Sequence, residues 1–427
     1  MSFLRQCVAA RFFISTLILS VCMWLPAGAA LADEAPLYNL KYTVELRPNK
    51  GNARVTMWVD KGDVLQHLSF KVKPGVHSNI TANGKLVIKD GRATWTPPAK
   101  NARLRLTVKI NHERDPGKFD ARMTKDWAIF RGDDIIPPMF TDTADGALSQ
   151  ATLRFKLPEG WSIETGWPRK SGNTFRIDNP ERRFDRPVGW MIAGKLGTRR
   201  TQVGNTNVAV SAPQGESVRR MDSLTFLTFV WPQMQLAFGQ TPDKLLIVGA
   251  GDPMWRGGLS ASNSLFLHAD RPLVSENGTS PLVHELVHMV THISGFKGDG
   301  YSDDWIAEGL AEFYSFELIY RAGAMTSDRR QHIIARLAKW GDGVTNLRES
   351  RSTGPVTARA VILFDELDRE LRTCSKNKYT IDDVVGALIP MGRVSLDDLR
   401  KTTAELLGAE SEVLQSSLLD APLKPKD

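Results

Sequence analysis

One stretch constrains this chain more than any other: His284-Glu285-Leu286-Val287-His288. Side chains four residues apart share a helical face, so in a helix the two imidazoles can reach one metal ion. Glu285 then lies beside the water such an ion would activate, where it can take a proton and pass it to a leaving group. Local punctuation predicts that helix. Ser280 suits the N-cap, Pro281 suits the first helical position, and Gly295 ends the apolar pattern.

A zinc that catalyses hydrolysis needs a third protein ligand and one open position. Trp305-Ile306-Ala307-Glu308-Gly309-Leu310-Ala311-Glu312 predicts a second helix starting at Ser302-Asp303-Asp304, and Glu308 is the candidate ligand. The interval from His288 leaves room for the first helix to end and a second to return beside it, with Gly309 allowing close approach. Glu312 lies one turn further on the same face. It is either an exposed carboxylate or the group that accepts the far ring N–H of a ligating histidine. His292 extends the histidine stripe, but four helical residues rise about 6 Å, too far for three histidines on one tetrahedral ion. It reads as an outer or surface residue. The alternative zinc pattern, with a glycine and a third histidine soon after the motif, fails because Thr291 and Ser294 occupy those places.

Residues 1–32 read as a cleavable secretory signal: Arg5 and Arg11, an apolar run from Phe12 to Leu25, then Ala30-Leu31-Ala32, with cleavage expected before Asp33. An uncleaved anchor is the alternative. The leader holds two arginines and no acids, so its removal lowers the formal charge from +7 to +5 and leaves Cys374 without an intramolecular partner. Lysines and arginines are scattered among acids, which predicts an ordinary solvated basic surface and no nucleic-acid partner.

At roughly 150 residues per domain, the remainder predicts two or three domains. From Tyr38 to Ile110 apolar residues alternate with polar ones, as in Tyr38, Leu40, Tyr42, Val44 and Leu46, and turn signals such as Asn83-Gly84 and Asp90-Gly91 separate the runs. The expectation is an N-terminal antiparallel β-sandwich or saddle domain over 33–203, in which His67, His77 and His112 are surface or turn histidines. Beyond it, an apolar helix begins near Val218. Buried strands are expected at Lys244 to Gly249 and Ser264 to His268, then the motif helix. The catalytic domain is placed at 204–325 and a helical C-terminal region at 326–427, giving a multidomain α+β chain.

His284-Glu285-x-x-His288 followed by Trp305-x-x-Glu308-Gly309 resembles the gluzincin metallopeptidases, in particular the aminopeptidase N and glycyl aminopeptidase families. The resemblance implies a thermolysin-like catalytic domain, Zn2+, peptide or protein substrates and Glu285 as general base. Arg256-Gly257-Gly258-Leu259 resembles the glycine-bearing edge segment that lines the substrate cleft there, placing Gly257, Gly258, Leu259 and Ser260 at the cleft. Two positions depart from the pattern. Ser260 stands where those families carry a glutamate for the substrate amine, and Val356 where they carry an oxyanion-stabilising tyrosine; Tyr301, Tyr314, Tyr379 and His332 are possible substitutes.

The sequence therefore predicts an exported, periplasmic or secreted zinc metallopeptidase with ligands His284, His288 and Glu308 and no stable membrane insertion after cleavage. Aminopeptidase and endopeptidase action both stay open. The rival is a zinc-retaining binding protein of the same fold, impaired in catalysis.

Overall fold

Period-two patterning governs the first half of the molecule. In the computed structural model, which describes residues 36–179, 182–349 and 351–420, strand Leu37–Arg47 buries Tyr38, Leu40, Tyr42, Val44 and Leu46 on one face and turns the intervening residues outward. The leader at 1–32 lies outside the described residues. Leu37–Arg47 is central to a seven-stranded sheet, antiparallel to Asn52–Lys61 and parallel to Leu148–Lys156. That parallel pair corrects the expectation of a wholly antiparallel domain. A four-stranded sheet supplies Leu68, Phe70 and Trp95 to the same apolar core. His77 is also buried, its ring accepting the Lys73 N–H at 3.1 Å, so it is a core residue and not a surface one.

A five-stranded sheet, in the order Ser162–Thr165, Trp190–Gly194, Trp127–Arg131, Lys118–Met123, His112–Asp115, joins this region to the second half of the chain. Ile129, Trp190 and Ile192 share a core with Leu246, Val248 and Phe266. The Trp190 indole donates to the Leu259 carbonyl at 2.8 Å, and its backbone N–H to Ser264 Oγ at 2.8 Å. At the far end of the sheet the hairpin of His112–Asp115 and Lys118–Met123 pairs with the loop before the edge segment: Trp255 N donates to the Phe119 carbonyl at 2.7 Å and Phe119 N to the Pro253 carbonyl at 3.0 Å.

The second sheet system is mixed, in the order Leu196–Val203, Thr206–Pro213, Lys244–Ala250, Ser264–His268, Gly258–Ala261. Its first two strands form a hairpin that spans residue 203. Apart from one short turn, α1 (Gly132–Ile135), the helices come after the first strands of this sheet: α2 (Arg220–Phe238), α3 (Pro281–Thr291), α4 (Asp304–Arg321), α5 (Ser327–Gly341), α6 (Pro355–Cys374), α7 (Ile381–Leu388) and α8 (Leu396–Leu407). Residues from α2 through α8 share a single apolar core, so the C-terminal helices are continuous with those bearing the motif. Behind α4 a buried ionic network binds them further: Glu317 accepts from Arg321 at 3.0 Å and from Arg330 at 2.6 Å, and Arg330 reaches Asp365 at 2.8 Å. Among the described residues no helix is long and apolar enough to cross a membrane.

Candidate metal centre

Helix α3 starts as its residues dictate. Ser280 Oγ accepts the Val283 N–H at 3.2 Å, and Pro281, which has no N–H to leave unpaired, opens the first turn. The helix stops earlier than the apolar pattern indicates. His292 takes a left-handed conformation, φ 53°, and closes the helix after Thr291, three residues before Gly295. Gly295 instead serves the connection between the helices. A side chain there would meet the Asp303 and Asp304 backbone at 2.3 Å, so its absence lets the connection fold flat against the start of α4. Asp303, fully buried, accepts from Arg348 at 2.7 and 3.3 Å and from Leu396 N at 3.1 Å. These contacts set the position from which α4 presents Glu308.

The two helices bring three donors together. His284 Nε2 and His288 Nε2 lie 3.2 Å apart, and the Glu308 carboxylate lies 3.4 Å from the first and 3.5 Å from the second. Zinc with ligands at about 2.0–2.1 Å has tetrahedral edges of about 3.3–3.4 Å, so these separations fit one ion with a fourth position left open. His284 Nδ1 lies 3.0 Å from Glu312 Oε2. A proton shared there holds the ring in the tautomer that turns the Nε2 lone pair toward the other donors. At 3.2 Å the two Nε2 atoms are close enough to share a proton, the place a bound cation would take.

Electrostatics agree with that reading. Burial alone would lower the His284 pKa, but Glu308 and Glu312 outweigh it and push the imidazole up to about 10 in the metal-free centre. Burial raises Glu308, and the two imidazoles more than reverse this, holding its carboxyl well below the usual range. A metal entering here takes the place of a proton, since ligands must be deprotonated.

Glu285 lines, with His284, His288 and Glu308, a cleft of about 880 Å³, and among the described residues its carboxylate has no hydrogen-bond partner. The edge strand Gly258–Ala261 passes directly against it. A side chain at Gly258 would meet Glu285 Cγ at 2.8 Å and Oε1 at 3.0 Å, so the glycine leaves Glu285 its present position. Gly258, Leu259 and Ser260 line the cleft. Gly257 sits one residue earlier beneath the Trp255 indole, where an added Cβ would overlap the ring at 1.8 Å.

Other sequence candidates fall elsewhere. His292 is exposed at the cleft margin and is not grouped with the three donors. Gly309 does not ease the approach of α3 to α4; it contacts α6, where an added Cβ would lie 2.7 Å from Ala360 and 2.8 Å from Phe364. Val356 is buried. Tyr314 is buried and donates to Asp382 at 2.7 Å, Tyr301 stacks on the Arg348 guanidinium at 4.3 Å, and His332 is exposed on α5. None of these, nor Tyr379, lines the cleft, whose corresponding wall carries Arg351, Ser352 and Thr353. Sequence reading also missed Arg114, Arg131 and Asp133, which the N-terminal region contributes. Arg114 lies 3.8 Å over the Trp255 ring, a packing that no local pattern signals.

The fold is similar to that of solved M1 zinc metallopeptidases. An aminopeptidase N family protein from Idiomarina loihiensis superposes with a TM-score of 0.61 at 15% identity, over 82% of this chain and 70% of that one. An M1 zinc metallopeptidase from Deinococcus radiodurans gives 0.53 at 17% identity, over 92% and 96%. Aminopeptidase A of Legionella pneumophila, solved with aspartic acid, gives 0.56 at 13% identity, over 92% of this chain and 50% of that one. No family model and no curated protein sequence matches the chain.

Proposed function

We propose that this protein is an exported zinc metallopeptidase. The observation that carries the reading is the spacing of His284, His288 and Glu308 as three corners of one coordination tetrahedron, with Glu285 free on the cleft side. Zinc, when bound, supplies an acidified water and a Lewis acid for the scissile carbonyl. Glu285 accepts the proton of the attacking water and returns it to the departing amine, roles its unpartnered carboxylate permits. Glu312 holds the His284 ring in register.

The substrate lies along Gly258–Ala261. This is an edge strand whose outer side is unpaired, so an extended peptide can add to it through main-chain hydrogen bonds. No carboxylate on that strand grips a free amine, because Ser260 occupies the place. Asp133, the acid contributed from the N-terminal side, already accepts from Gly189 N at 3.0 Å and from Arg186 at 3.4 Å. These features favour internal peptide bonds over free amino ends. The arginines and residues 12–32 of the leader support export.

The test is zinc stoichiometry of the purified protein together with hydrolysis of matched free-amine and amine-blocked peptides, with and without chelator. We expect about one zinc per chain and chelator-sensitive cleavage of the blocked set. Full zinc occupancy without cleavage of either set would establish the rival reading, a zinc-retaining binding protein, which Ser260 and the absence of tyrosine among the described residues lining the cleft motivate.

A further inference from the structure

We infer that the outer face of the seven-stranded sheet is a binding trough for an acidic polysaccharide. Strand register places its cations. In one cross-strand row Arg103, Trp58, Lys41, Thr152 and Arg176 lie side by side. The next row brings Arg105, Thr56, Thr43 and Arg154, and a third Arg54, Glu45 and Lys156. Cations are separated from one another by a neutral or acidic residue, which avoids the cost of like charges directly opposed. With strands about 4.8 Å apart, cations two strands apart stand about 10 Å from each other, and alternate residues along a strand about 6.7 Å.

Within strands Leu37–Arg47 and Asn52–Lys61 the outward acids are Glu45 and Asp60, and both are engaged. Glu45 pairs with Arg54 at 3.6 Å. Asp60 accepts from Asn39 at 2.7 and 2.6 Å. Among the described residues Arg105 and Arg154 are exposed and have neither an ion-pair nor a side-chain hydrogen-bond partner. Two depressions, of about 720 and 450 Å³, lie along this face.

Four features select the partner. The face is charge-complementary to a polyanion. Its neutral positions include Asn39, Thr43, Thr56, Gln150 and Thr152, hydrogen-bonding groups suited to sugar hydroxyls, with the exposed pair Leu37 and Leu148 at one end. Its one exposed aromatic, Trp58, already carries the Arg103 guanidinium at 5.1 Å, so the face has no stacking platform for bases. A sheet of seven strands also turns by about 20° at each step, so a flexible chain can follow it where a planar bilayer cannot.

The experiment uses the full mature chain and measures binding of heparin, a sulfated glycan, near physiological ionic strength, with neutral dextran as control. We expect heparin binding that weakens at least tenfold in Arg105→Glu/Arg154→Glu, with zinc content, melting temperature and peptide hydrolysis unchanged. The same charge reversal on the four-stranded sheet, Lys85→Glu/Lys89→Glu, leaves binding intact. No binding of heparin, or equal losses in the two double variants, would overturn the trough. Single-stranded DNA or phosphatidylglycerol vesicles bound more tightly than heparin, and lost in the same variant, would overturn the choice of partner.

Discussion

At the candidate metal centre His284 lies within 3.4 Å of both Glu308 and Glu312, on two packed helices; on the outer face of the seven-stranded sheet, Arg105 and Arg154 have no side-chain partner among the described residues. The centre concentrates opposite charges where burial makes each interaction strong, so each member shifts its neighbours' protonation. The sheet face spreads like charges in solvent, where screening keeps each pair weak and only a polyanion gathers them into one interaction. One region is chemically poised for an ion, the other for a long partner.

The strongest way to break this contrast is at Glu285. Glu285→Gln is expected to lower hydrolysis about 10²–10⁴-fold while zinc content stays full, because it removes the proton carrier and no ligand. Near-normal turnover at full zinc occupancy would show that the cleft works differently. Next is Glu312→Gln, which keeps the shape beside His284 Nδ1 but removes the charge; zinc affinity should fall about 10–100-fold in a chelator competition. An unchanged affinity would make Glu312 a bystander.

Smaller effects separate packing from chemistry. Gly309→Ala pushes a methyl group against Ala360 and Phe364, and should cost about 1–3 kcal/mol in denaturant unfolding, with the zinc site affected only through the tilt of α4. The smallest effect concerns Lys244. Burial lowers its amino group, Glu164 opposes this, and Arg169 and Arg200 add to it, leaving the pKa at about 8 against 10.5 in the free side chain. Between those values the unfolded chain holds a proton that the folded one has released, so this group's contribution to stability improves as pH rises from about 8 to 10.5. Melting temperatures of the native chain and Lys244→Met across that window should shift in favour of the native chain. A constant difference would show that burial does not depress this lysine.

Much of the fold is legible from pattern. Alternation located the inward residues of Leu37–Arg47, because one buried face forces period two, and Ser280-Pro281 marked the start of α3. Boundaries were less legible where a residue adopted an unusual conformation. Nothing in the chain before His292 indicates that it would take the left-handed turn in place of a glycine. The hairpin Leu196–Val203 and Thr206–Pro213 joined the mixed sheet through pairing with Lys244–Ala250, a partner distant in sequence.

The chain's own sequence determined the ion site, because helical spacing puts His284 and His288 on one face and a single reversal supplies Glu308. It also placed Ser260 at the cleft, where the edge strand carries no carboxylate. Only the tertiary structure decided that Glu312 meets His284, that Gly258 makes room for Glu285, and that Arg114 and Arg131 reach the cleft from the N-terminal sheets. It alone turned scattered lysines and arginines into one basic face. The reason is physical: a helix brings together residues that are neighbours in sequence, whereas a sheet aligns residues through register between strands that sequence separation does not reveal.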